Sequence, residues 1–107
     1  MSREMTAARL IAAARLAKTP LTQLPDTCRP ATVDEGYSVQ EVLHGILKDD
    51  DKQRRIGYKI GCTTPVMQEV MGIDHPCAGS VTDVQVYREH TALPYADFLS
   101  VGVECEI

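Results

Sequence analysis

Three side chains in this sequence combine a reactive group with a spacing that could put it to use. Lys59 lies in "RRIGYKIGCT", whose alternation reads as a β-strand with Ile56, Tyr58, Ile60 and Cys62 on one face and Gly57, Lys59 and Gly61 on the other. Interior glycines weaken a strand and mark places where a ligand or another backbone comes close. Here they clear space around one ammonium. The same pattern also fits a surface lysine on a solvated face, with glycines for a bend. Glu104 and Glu106 lie in "VGVECEI". Read with period two, they share a face with Gly102, opposite Val101, Val103, Cys105 and Ile107. Carboxylates so placed stand roughly 7 Å apart along a strand, and they repel unless a cation or a shared proton offsets the charge. A hard divalent ion such as Mg²⁺ is the common remedy, since it takes oxygen ligands and keeps several waters. The plain alternative is an exposed Glu-x-Glu on a solvated strand face. Two carboxylates do not make a full protein ligand set, so a third acidic group is expected further along.

The remaining reactive residues offer less. His44 falls on the flank of a helix, His75 in a loop and His90 near a strand end, and no Ser-His-Asp arrangement or phosphate-cradling glycine loop can be assembled. Cys28, Cys62, Cys77 and Cys105 form no CxxC pair and match no zinc-site spacing. Cys62 and Cys105 fall on the apolar faces of predicted strands, where a free thiol acts as a small hydrophobe. All four are expected to be reduced, in a cytoplasmic protein. Asp74 to Cys77, "DHPC", offers a His and a Cys, but nothing nearby completes a tetrahedral metal set.

The elements that must position these groups follow from period and punctuation. Residues 3 to about 18 form a helix with Met5, Ala8, Ile11, Ala12 and Leu16 at helical spacing, capped by Ser2 and ended by Thr19-Pro20. Three prolines between 19 and 32 make an irregular connection. Thr32 to Glu35 fits a capping box and opens a second helix with Val33, Tyr37, Leu43, Ile46 and Leu47 on one side. That helix is expected to stop at Asp49 to Asp51, because negative charge is unfavourable at the C-terminal end of the helix dipole. A short third helix is bracketed by Thr64, Pro65 and Gly72. "GIDHPCAGS" then reads as a loop, and "VTDVQVYREHTAL" and "FLSVGVECEI" as two further strands. The predicted class is α+β: N-terminal helices over residues 1–53 packed on the start of a mixed β-sheet in a region over 54–107. A last strand that ends on an apolar residue, in need of a neighbour, leads to the expectation of a shortened chain or a cleavage product.

Composition narrows the class. At 107 residues one domain is the natural count. A net charge of −4, with Arg54-Arg55 as the one short basic pair, argues against nucleic-acid binding. No apolar run approaches the roughly 20 residues that span a bilayer. The Arg- and Ala-rich start reads as an amphipathic surface helix, and Glu4 argues against a secretory signal.

Taken together, Gly57-Lys59-Gly61, Thr63 through Gln68, Gly72 through Pro76, and Val103-Glu104-Glu106 resemble the N-terminal part of the 2-keto-4-pentenoate hydratase and 4-oxalocrotonate decarboxylase family, within the fumarylacetoacetate hydrolase superfamily. The resemblance covers nearly the whole chain but only the front portion of a family member, before the main β-rich catalytic domain. It implies Mg²⁺ or Mn²⁺ held by Glu104 and Glu106, with the third carboxylate ligand outside this chain. It also implies a small 2-oxo acid substrate, Lys59 as the catalytic residue, and substrate contacts from Lys59, Gly61 and Thr63. A homo-oligomer is the family expectation, and no membrane partner is implied. The function so implied is that of a lyase, a hydratase or decarboxylase of unsaturated 2-oxo acids in aromatic-compound breakdown. The 107 residues alone are expected to be nearly inactive. An acylpyruvate-type C–C hydrolase and a non-catalytic binding or assembly domain stay open as alternatives. One departure stands out: many hydratase-type members carry an acidic residue where this chain has Cys77, and Asp74 and Asp83 are the candidates to stand in for it.

Overall fold

Local caps account for where the helices begin. In the computed structural model, which describes residues 1–106, Ser2 accepts a hydrogen bond from the Met5 N–H and opens α1 (Arg3–Ala17). Thr32 accepts from the Glu35 N–H and opens α2 (Val33–Asp51), while the Glu35 carboxylate reaches back to the Ala31 N–H at 2.6 Å. Thr64 does the same for α3 (Pro65–Met71), with Pro65 in the first turn and Gly72 in the left-handed conformation at its end, φ +69°. Each hydroxyl satisfies one of the N–H groups that a helix start leaves without a partner.

The end of α2 departs from expectation. The helix runs through Asp49 to Asp51 instead of stopping there. Two cations offset the misplaced charge: Arg9 of α1 pairs with Asp50, and the Lys52 ammonium donates to the Asp49 carbonyl at 2.8 Å.

The core belongs to the helices. Ala7 and Ala8 of α1 lie against Val39, Leu43, Ile46 and Leu47 of α2, with Cys28 from the connection closing the cluster. Small residues on α1 let the helix axes come close, and the branched side chains of α2 fill the interface. Leu16, placed on the apolar stripe by spacing, is exposed.

Beyond the helices, β1 (Arg55–Gly61) pairs antiparallel with β2 (Cys77–Thr82). The class is α+β, as read from the sequence. The sheet, however, is two-stranded and antiparallel among the described residues, not mixed. β2 begins in the stretch read as a loop, where Cys, Ala, Gly and Ser give little strand signal, and ends on Val81 and Thr82, the first two residues of the strand expected next. The two strands expected after it do not form: 83–85 and 95–97 are 3₁₀ turns, and 101–106 is irregular. A strand needs a neighbour to pair with, and sequence period supplies none. Ile107, read as the last apolar residue of that strand, lies outside the described residues.

The apolar face of β1 is not buried either: Tyr58 is 65% and Ile60 63% exposed. Cys62, expected on that face, lies past the end of β1 with φ +54°. Cys105 is exposed in the irregular tail.

A side-chain lattice joins α2 to the hairpin. Arg55 pairs with Glu41 at 2.7 Å, donates to the Tyr58 hydroxyl and lies over that ring. His44 sits beside Arg55, and partial burial together with the guanidinium charge lowers its pKa below the ordinary 6.5.

Two outcomes test this packing. Leu43→Ala is expected to remove about 2–5 kcal/mol of unfolding free energy, read as a lower urea midpoint with an unchanged slope. The lowered His44 pKa means that the unfolded chain binds the proton more readily. Stability is then full above the ordinary histidine value, falls as pH drops towards the folded pKa, and levels off below it. In His44→Gln, urea midpoints across that window should lose this slope.

Candidate active site

The site is built on the middle of β1. Antiparallel pairing sets Lys59 opposite Gly79 and Gly61 opposite Cys77. Lys59 therefore has a glycine on each side along its own strand and a third across from it. A Cβ on Gly57 or Gly79 would meet nothing within 4 Å, and one on Gly61 would meet only the Cys77 Sγ, at 3.8 Å. A one-residue irregularity between Arg55 and Gly57 fixes this register.

The ammonium finds its partner in the tail. Lys59 Nζ donates to both oxygens of Glu106, at 2.8 and 3.0 Å. The Glu104 carboxyl is near enough to act on both Glu106 and Lys59. The hydrogen bond and then the charge of Glu106 raise the Lys59 pKa. The same contact, seen from the other side, holds the Glu106 carboxyl below its ordinary range. Both side chains are more than half exposed, 60% and 53%, so the pair adds little to stability. Its interest is positional: one cation and two carboxylates converge although the tail forms no strand.

Lys59 and Gly61 line an open cleft of about 820 Å³ between the start of α2 and the hairpin. Val33, Gly36 and Tyr37 form the helical wall, and Ser80 and Gln85 add polar groups on the strand side. Tyr37 had been legible only as a residue of the apolar stripe. Its hydroxyl accepts from the Ala78 N–H at 3.0 Å, and the Gln40 amide donates to the Ala78 carbonyl at 3.1 Å. These two side chains do for the outer edge of β2 what a third strand would do. A helical tyrosine carrying a polar tip was the available signal.

The other anticipated residues separate. Thr63 is exposed in the link to α3 and is not among the residues lining the cleft. Asp83 accepts from the Arg54 N–H at 3.0 Å, at the opposite end of β2 from Cys77, so it does not stand in for an acidic residue there. No carboxylate is among the described residues lining the cleft. Gln68 donates to the Cys62 carbonyl at 2.9 Å and ties α3 to the exit of β1. His75 and Cys77 lie on the cleft wall, and no group of three metal-ligating side chains forms among the described residues.

Comparison with known proteins gives this geometry its context. The chain is 32% identical over 87 residues to a 2-keto-4-pentenoate hydratase of Burkholderia vietnamiensis, a match covering 81% of this chain and 33% of that protein. It is 34% identical over 86 residues to a 2-hydroxyhexa-2,4-dienoate hydratase of Comamonas testosteroni, covering 79% and 31%. With a 2-hydroxypent-2,4-dienoate hydratase of Pseudomonas putida it shares 32% over 81 residues, 69% of this chain and 36% of the other. No protein-family model and no solved structure matches the chain. The chain thus spans about a third of the length of the curated relatives it matches. Over that shared stretch, the chain is similar to 2-keto-4-pentenoate and 2-hydroxydienoate hydratases.

Proposed function

We propose that this chain is part of a hydro-lyase that acts on unsaturated 2-oxo acids, of the 2-hydroxy-2,4-dienoate class, in the cytoplasmic breakdown of aromatic compounds. The observation that carries this reading is the convergence of Lys59, Glu106 and Glu104 beside a cleft walled by glycines and apolar side chains. The names of the relatives supply the substrate class.

Glu104 and Glu106 fit a hard divalent ion, Mg²⁺ or Mn²⁺, in kind, since carboxylate oxygens are the ligands such ions take. They supply two of its protein ligands. An ion bound there would act as a Lewis acid towards the 2-oxo group.

The protein's own contribution centres on Lys59. Its raised pKa keeps the side chain cationic at neutral pH, which makes it a poor general base and a strong hydrogen-bond donor to an anionic oxygen. Placed among three glycines, it can reach the carboxylate or enolate oxygen of a substrate lying along β1 without steric competition. The apolar wall of Val33 and Ala78 suits the hydrocarbon tail of the substrate.

A second reading, loss of CO₂ supported by the same electron sink, is favoured by Cys77 standing where an acidic residue is expected. The full-length protein offered a 2-hydroxydienoate and a 4-oxalocrotonate separates the two, by hydration of the first or CO₂ release from the second.

Titrating Mn²⁺ into the 107-residue chain should broaden the resonances of Glu104, Glu106 and Lys59 selectively. Glu104→Gln and Glu106→Gln should each weaken that binding by more than about tenfold; unchanged affinity in both would remove the metal site.

The ion pair has a pH signature of its own. Because the Glu106 pKa is lowered, the pair is intact above the ordinary carboxylate range and is lost as pH falls through the lowered value. Because the Lys59 pKa is raised, it persists at high pH until that value is passed. Lys59→Met should return the Glu106 carboxyl titration upward to its ordinary range, as read by carboxyl carbon chemical shifts.

A further inference from the structure

Cys62 and Cys77 are far apart in sequence but adjacent in the fold, and the proposed reaction uses neither. Cys77 is the cross-strand partner of Gly61, the residue directly before Cys62. The Cys77 Sγ lies over the bare Cα of Gly61, 3.8 Å from where a Cβ would stand. Cys62 has φ +54°, a left-handed conformation that strains a non-glycine residue. In a regular strand, residues 61 and 62 would point to opposite faces. The left-handed residue breaks that alternation beside Cys77, and the Gln68 side chain holds the resulting peptide by its carbonyl at 2.9 Å.

We infer that Cys62 and Cys77 form a redox-active dithiol, a modification site that closes to a disulfide on exposure to a peroxide. The division of labour follows from exposure. Cys77 is exposed and Cys62 half-buried, so Cys77 is the sulfur that oxidant reaches first. Burial, and then a hydrogen bond with Cys77, push the Cys62 thiol pKa up, so it keeps its proton until its partner reacts.

The Cys77 thiolate attacks the peroxide oxygen, the O–O bond breaks, and the leaving oxygen departs as water after protonation, which leaves a sulfenic acid on Cys77. The Cys62 sulfur, giving up its proton, then attacks the Cys77 sulfur. An S–S bond forms and the sulfenic oxygen leaves as a second water. Two thiols are oxidised and one peroxide is reduced. Cys77 lines the cleft that holds Lys59, so the bond draws its sulfur off the cleft wall and ties the end of β1 to the start of β2.

The test treats the reduced 107-residue chain with one equivalent of hydrogen peroxide at neutral pH, followed by intact mass and by cleavage at Glu69, which separates the two cysteines. The expected result is a monomer lighter by two hydrogens in which a Cys62–Cys77 link is the main product. Cys62→Ser should then leave a sulfenic acid on Cys77 that a cyclic 1,3-dione traps. Independent oxidation of the two thiols without a link overturns the inference. So does a main product that is a disulfide through Cys28 or Cys105, within or between chains.

Discussion

The pairing of β1 with β2 is the constraint on which the rest of the molecule depends. It places Gly79 opposite Lys59 and Cys77 opposite Gly61, and it turns the outer edge of β2 towards Tyr37 and Gln40. A slip of one residue would exchange the faces of β2, setting Ala78 or Ser80 across from the ammonium and closing the space that three glycines keep open. The far end of the hairpin is locked accordingly: Arg54 and Asp83 exchange two hydrogen bonds, and the buried Thr82 meets Gln85 and Gln53. Register is fixed at one end so that chemistry can be placed near the other.

Stability and function are carried by different parts of the chain. The helix pair holds the buried apolar side chains, and the hairpin holds the reactive ones. The two parts meet through directional contacts, Arg55 with Glu41 and the two bonds to Ala78, and not through a shared apolar interior. Such contacts set orientation well and add modest free energy. The hairpin is consequently open on both faces, with the cleft on the side of Lys59 and Tyr58 and Ile60 uncovered on the other.

What the sequence made legible was local. Thr32, Thr64, Pro65 and Gly72 announce helix ends because a cap acts within one turn of its own position. The glycines around Lys59 likewise announced space. What stayed hidden was non-local. Nothing in Cys77–Ser80 marks it as a strand until Tyr58 through Gly61 is there to pair with it. The alternation of Val101 to Cys105 suggested a strand for which no partner forms among the described residues. The triple aspartate looked like a stop because Arg9, more than forty residues away in sequence, was not in view. Glu106 reaches Lys59 even so, which shows that its proximity to the ammonium does not require the strand first read there.

Cross-strand nuclear Overhauser contacts in the 107-residue chain test the central claim most directly. Lys59 should show contacts to Gly79, and Gly61 to Cys77. Contacts from Lys59 to Ala78 or Ser80 in their place would mean that the strands pair in another register, and the cleft, the charge cluster and the dithiol would all be misplaced.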